Sequence, residues 1–200
     1  MALDNERQVV HEWKNGSRKA YEALVKHYMA DAYMVAYGFV GNREDARDLS
    51  QDAFVKAYQA RERFDASRPF YPWLYRIIKN HCLNFLRCAR RSTSSLFYEG
   101  ETGTREERFA ATAPTALEEL EASERRRLVR AAVDVLSDDH REIVVLKNFK
   151  GCSYREISDM LDIPMGTVMS RLYYARKDLR EIIERLEREG LSNEPAGEVA

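Results

Sequence analysis

Apolar residues recur three and four positions apart along nearly the whole chain, and strand-type alternation is absent, so the pattern predicts an all-α protein. Two stretches carry this periodicity, residues 1–91 and residues 116–188. Between them, residues 92–115 hold two glycines, many serines and threonines and no sustained period, the composition of a linker. The last residues, 189–200, are small and polar and are expected to fray. The expected architecture is therefore two small helical domains joined by a flexible linker.

Within the first block, Gly16-Ser17 and Gly41-Asn42 separate helices. A helix over about 43–61 is expected to turn Ala46, Leu49, Ala53 and Tyr58 toward a core. Phe64 to Pro69 reads as a turn, and a long helix follows from Phe70 to Arg91. Phe70, Trp73, Leu74, Ile77, Ile78 and Phe85 form its apolar face, whereas Arg76, Lys79, Asn80, Arg87, Arg90 and Arg91 fall largely on another. Trp73 is expected in the core, and Phe64, Tyr71 and Tyr75 are the rings expected at the surface. No acidic residue lies between Asp65 and Glu99. Cations beside aromatic rings suit single-stranded nucleic acid, because phosphates follow the cations and unstacked bases need a flat apolar partner. The simpler reading of the same residues is a solvated basic face over an aromatic core face.

In the second block, Ser153 and Glu156 have the spacing of a capping box, which starts a helix with its first amides satisfied. Ile157, Met160 and Leu161 follow at helical spacing, and Asp162-Ile163-Pro164 interrupts them, since the residue before a proline leaves the helical region. A second helix then buries Val168, Leu172 and Ala175 and presents Thr167, Ser170, Arg171, Tyr174, Arg176 and Lys177. Two short helices around a tight turn, the second polar and basic, form a helix-turn-helix that sets a recognition helix in the DNA major groove.

Composition narrows the classes further. The 200 residues carry a formal net charge of −1, so nucleic-acid binding requires the basic residues to be segregated. Cys82, Cys88 and Cys152 match neither a disulfide framework nor a zinc spacing, and each reads as a small buried or half-buried residue. The four histidines, His11, His27, His81 and His140, are dispersed, so no catalytic residue, metal ligand or cofactor site is expected, and a helical hydrolase is disfavoured. The first residues have no signal-peptide pattern, and no window approaches the ~20 apolar residues of a membrane span, so a cytoplasmic protein is expected. Asp48 and Asp52, four apart, project from one side of a helix with no histidine or third carboxylate expected to join them, and read as a docking face or as a solvated one. The linker acids Glu99, Glu101, Glu106 and Glu107 either keep the linker solvated or mimic nucleic acid in a channel.

Four segments together resemble a bacterial RNA polymerase sigma factor of the extracytoplasmic-function group: DLSQDAFVKAYQARERF, FYPWLYRIIKNHCLNFLR, LSDDHREIVVLKNFKGCSYREISDML and IPMGTVMSRLYYARKDL. The resemblance implies that the first domain is region 2, which docks on the β′ clamp helices and opens the −10 promoter element. Asp48, Gln51 and Asp52 resemble its docking surface. Phe64, Arg76, Lys79, Asn80, Asn84 and Arg87 resemble its −10 surface, with Phe64 and Asn80 at the pocket for a flipped base. The second domain would be region 4, reading the −35 element and touching the β flap. Its candidate contacts are Arg155, Thr167, Met169, Ser170, Arg171, Tyr173, Tyr174, Arg176 and Lys177. By similarity the linker threads toward the RNA exit path, and an anti-sigma partner is common in the group. Met169 and Tyr174 depart from the family pattern, standing where basic residues are usual.

The competing reading is a freestanding helix-turn-helix regulator that binds duplex DNA as a dimer. Leu128, Val133, Ile182, Ile183 and Leu186 would then be a dimer face, although they are more simply core. The basic-aromatic helix separates the two, because a duplex-only regulator has no need of a single-strand surface.

Overall fold

The computed structural model describes residues 5–93 and 116–192, with side chains from 5–89 and 123–189. Residues 94–115, which carry most of the expected linker and its acids, lie outside the described residues, as do 193–200 of the expected tail. Among the described residues every regular element is helical: α1 Glu6–Lys14, α2 Arg18–Val40, α3 Arg43–Gln59, α4 Phe70–Thr93, α5 Ala116–Val135, α6 Asp138–Val144, α7 Tyr154–Leu161 and α8 Met165–Ser192.

The helix boundaries follow from their caps. Ser17 Oγ accepts the amide of Ala20 at the start of α2, and Asn42 Oδ1 accepts that of Asp45 at 2.7 Å at the start of α3. Gly41, at φ 78°, ends α2 in the left-handed conformation that favours glycine. Its missing Cβ also makes room for a neighbour, since a Cβ there would lie 2.2 Å from Arg130 Nε.

The first four helices form a bundle around Leu24, Val35, Phe39, Ala53, Leu74 and Ile78, each at most 1% exposed. Trp13 anchors its end, with ring centroids 5.3 Å from Phe70 and 5.7 Å from both Tyr21 and Phe64. Tyr58 departs from the expected core stripe. It is 42% exposed, because Ala57 takes the buried position one residue earlier, and it rests against Tyr21 with Arg61 above its ring.

In the second half, α5, α6, α7 and α8 enclose Val133, Ile143, Leu146, Ile157, Val168 and Leu172. Arg141, only 1% exposed, is spent on structure: its Nε donates to Val133 O at 3.1 Å and its Nη2 to Asp134 O and Leu136 O. The last carbonyls of a helix have no partner within it, so this guanidinium finishes the end of α5.

The two halves share one buried cluster. A π-helical turn over Val145–Phe149 follows α6 and seats its side chains on Gly38 of α2. A Cβ at Gly38 would come 2.8 Å from Val145 Cγ1 and 3.1 Å from the Phe149 ring, so the absent side chain is what lets the halves meet. Arg130 of α5 crosses the same boundary and donates to Gly38 O at 3.0 Å and to Phe39 O, completing the end of α2 from the other half. Lys150 pairs with Asp31 at 2.6 Å and lies over the Tyr71 ring.

Candidate nucleic-acid interface

Helix α4 sorts its polar residues by angle. Arg76, Asn80, Asn84 and Arg87, spaced four, four and three apart, all lie exposed on one face. Half-buried Trp73 heads that row. Lys79 belongs to the neighbouring face and turns to the second half, where its Nζ meets Glu142 Oε1 at 2.9 Å. The same carboxylate oxygen accepts the hydroxyl of Tyr75 at 3.0 Å. Arg87, at the far end of the row, pairs with Asp138 Oδ2 at 3.0 Å.

Two rings expected at the surface are buried instead. Phe64 is 2% exposed, held between Trp13, Phe70 and Trp73, with its carbonyl accepting from Lys14. Tyr75 is fully buried, because α6 covers it once the halves close. Burial, with the Glu142 carboxylate as second cause, holds its hydroxyl well above the ordinary tyrosine range. The structure thus gathers four of the six expected −10 residues on one face, commits Lys79 to the other half and removes the Phe64 ring from the surface.

Asp48, Gln51 and Asp52 all lie exposed on one side of α3, and Val55, 55% exposed, continues their face. Sequence reading missed Val55 because a lone apolar residue in a polar stripe carries no periodic signal. It also expected no histidine beside these acids. His81 of α4 is there, with Nε2 3.3 Å from Asp52 Oδ2 and Nδ1 2.6 Å from Lys56 Nζ. Among the described residues no group of three or more His, Cys, Asp or Glu is placed to hold a metal.

The helix-turn-helix forms as its spacing requires. Ser153 Oγ accepts the Glu156 amide at 3.2 Å and Glu156 Oε2 accepts the Ser153 amide at 2.7 Å, which also holds the Glu156 carboxyl below its usual range. Asp162, at φ 56°, ends α7, and Ser158 Oγ donates to Ile163 O across the turn. Val168, Leu172 and Ala175 are buried as expected. Arg155, Met169, Ser170, Tyr173, Tyr174, Arg176 and Lys177 are exposed, and Thr167 is half-buried. Arg171 sits apart, half-buried, with its Nη2 3.7 Å from Asp139 Oδ2 of α6.

Cys82 and Cys152 are buried, and burial pushes the Cys82 thiol up to about 12, whereas Cys88 is exposed rather than packed. No helix among the described residues is long and apolar enough to cross a membrane.

The family described as sigma-70 region 2 matches residues 24–92, and sigma-70 region 4 matches residues 126–179. The chain is 31% identical over 204 residues to the RNA polymerase sigma-H factor of Pseudomonas aeruginosa, covering 94% of this chain and 99% of that one. It is 33% identical over 180 residues to the ECF RNA polymerase sigma-E factor of Escherichia coli K12, covering 89% and 94%. Among solved structures, CnrH in complex with the cytosolic domain of CnrY has the same fold, with a TM-score of 0.60 at 24% identity over 91% of this chain and 99% of that one. So has the sigma factor RpoE bound to the anti-sigma factor NepR from Bartonella quintana, with a TM-score of 0.55 at 22% identity over 83% and 98%.

Proposed function

This chain belongs to the sigma-70 family, in its extracytoplasmic-function group, and we propose that it binds core RNA polymerase in the cytoplasm and directs it to promoters while leaving the chemistry to polymerase. The observation that supports this reading is one chain presenting two different exposed polar and basic faces, on α4 and on α8. The row Arg76, Asn80, Asn84 and Arg87 on α4 supplies amides and cations to a separated strand, and the open side of α8 fits a duplex groove.

In this proposal the face of α4 takes the −10 element. Extruding a base costs a few kcal/mol of stacking and pairing, which the receiving surface must return. With the Phe64 ring buried, Trp73 is the ring on that face able to stack, and Asn80, two turns along the same face, offers both donor and acceptor. Arg155 and the exposed residues of α8 take the −35 element. Asp48, Gln51 and Asp52, with Val55 among them as the apolar centre, take the β′ clamp helices, and region 4 meets the β flap. An anti-sigma factor, the partner captured on RpoE, would act by covering these surfaces.

Core polymerase reconstituted with the full chain tests the reading. Transcripts should start at a defined set of genomic promoters, and polymerase that gains no start-site selectivity from the chain would refute it. A dimeric regulator would instead bind the duplex tightly without polymerase.

A further inference from the structure

Nine large apolar side chains are exposed among the described residues, and four of them, Met165, Met169, Tyr173 and Tyr174, fall within the first ten residues of α8. Met165, Met169 and Tyr173 are spaced four apart and so form one stripe along the helix. Exposed to 52%, 53% and 67%, they make a contiguous apolar strip, the kind of surface that marks an interaction site. The Tyr174 ring, also exposed, stands edge-on to Tyr173 at 5.4 Å. Met169 and Tyr173 line a groove between α7 and α8, and Arg176, Lys177 and Arg180 of α8 continue its lining. At Gly166, one residue into the stripe, an added Cβ would meet nothing within 4 Å, so the helix start is open to close approach.

An apolar strip edged by cations matches one surface well, a major groove whose floor carries methyl groups and whose rims carry phosphates. Only thymine presents a methyl there, at C5, whereas guanine presents the acceptor pair that an arginine reads. The cations argue against an apolar protein partner, which would leave them uncompensated, and the N-terminal residues of a recognition helix are those that reach base edges.

We propose that Met169 and Tyr173 read thymine methyl groups in the −35 element, so that this factor selects thymines where a basic residue at position 169 would select guanine. The inference rests on the sigma reading above and specifies what its region 4 recognises.

The test uses holoenzyme reconstituted with the full chain. A promoter library randomised across the −35 segment is selected for binding, and each thymine of the selected element is then replaced by deoxyuridine, which removes the methyl and leaves pairing intact. Loss of about fourfold in affinity per methyl is expected at one or two positions, the effect of withdrawing one buried methyl-sized group. Met169→Ala and Tyr173→Ala, both at exposed sites where folding is unaffected, should each abolish the sensitivity at one of these positions. Met169→Arg should shift the selected base toward guanine. Wild-type indifference to deoxyuridine at every thymine overturns the inference and assigns the stripe to a protein partner, while promoter-selective transcription persists. Loss of that selectivity altogether would be a failure of the sigma reading itself.

Discussion

The hydroxyl of Tyr75, on the long helix of region 2, donates to the carboxylate of Glu142, on the first short helix of region 4, at 3.0 Å, and both side chains are buried. This bond ties together two domains that the sequence separates by the linker. Tyr75→Phe keeps the ring and removes the donor. A hydrogen bond to a charged group contributes about 1.5–3 kcal/mol, so the variant should lose stability in that range. Thermal unfolding of the full chain measures it, and an unchanged midpoint would mean that the bond contributes nothing to closure.

Gly38 offers a way to part the halves without harming either. Alanine at this site favours the helix by roughly 1 kcal/mol over glycine, so region 2 should stay folded. Its Cβ would lie 2.8 Å from Val145 Cγ1 and 3.1 Å from Val145 Cγ2, so rotating that β-branched side chain gives no escape. Gly38→Ala is expected to raise the radius of gyration with helicity unchanged. A variant as compact as the wild type by solution scattering would contradict the wedge.

Alkali should open the protein as well. Tyr21, Tyr28, Tyr71 and Tyr75 all titrate above the ordinary value of 10.0, burial being the first cause in each. A raised folded pKa means that the stabilisation is complete below the unfolded value and is lost as pH rises beyond it. The tyrosinate absorbance of these four should therefore appear only together with helix loss, above about pH 10. Ionisation of all eleven tyrosines with helicity intact would show these four hydroxyls to be accessible.

The two DNA faces should separate functionally. Asn80→Ala is expected to impair strand opening more than duplex binding, as permanganate reactivity of the −10 region would show. Arg171→Ala should lower −35 affinity and leave opening of the bound complex alone. Since Arg171 already leans on Asp139, a loss of several-fold is expected rather than abolition. Equal effects of both variants on closed-complex formation would remove the division of labour.

Asp52→Arg reverses a charge on the exposed face of α3. It should weaken binding to a β′ clamp-helix fragment by tenfold or more, because a reversed charge adds repulsion to the lost attraction. Unchanged affinity would take Asp52 out of the docking face.

What the sequence made legible follows from the range of each signal. The capping box of Ser153 and Glu156, the glycine stops at Gly16 and Gly41 and the buried triplet Val168, Leu172 and Ala175 are local, and each stands in the structure where its spacing puts it. Contacts between separate elements have no local signature. Nothing within a few residues of Tyr75 or Phe64 announces what will cover them, so aromatic rings beside a turn looked exposed. Arg130 carries no signal in the sequence, although it finishes the end of α2, which only the folded chain brings near. One overlooked clue was Gly38, a glycine inside an apolar helix, which marks a close approach.

The seat of Val145 and Phe149 on Gly38 has a consequence for how the factor is rationed. Region 4, lying across α4, pairs Glu142 with Lys79 and Asp138 with Arg87, so under the proposed function it would compete with promoter strands for these cations of region 2. This competitor is tethered to its target. It cannot be diluted away, and its effective concentration is set by the linker rather than by expression. Core polymerase would then see an affinity scaled down by the fraction of chains that stand open. Any substitution that loosens the seat would act as a dose increase, with more transcription from the same number of molecules.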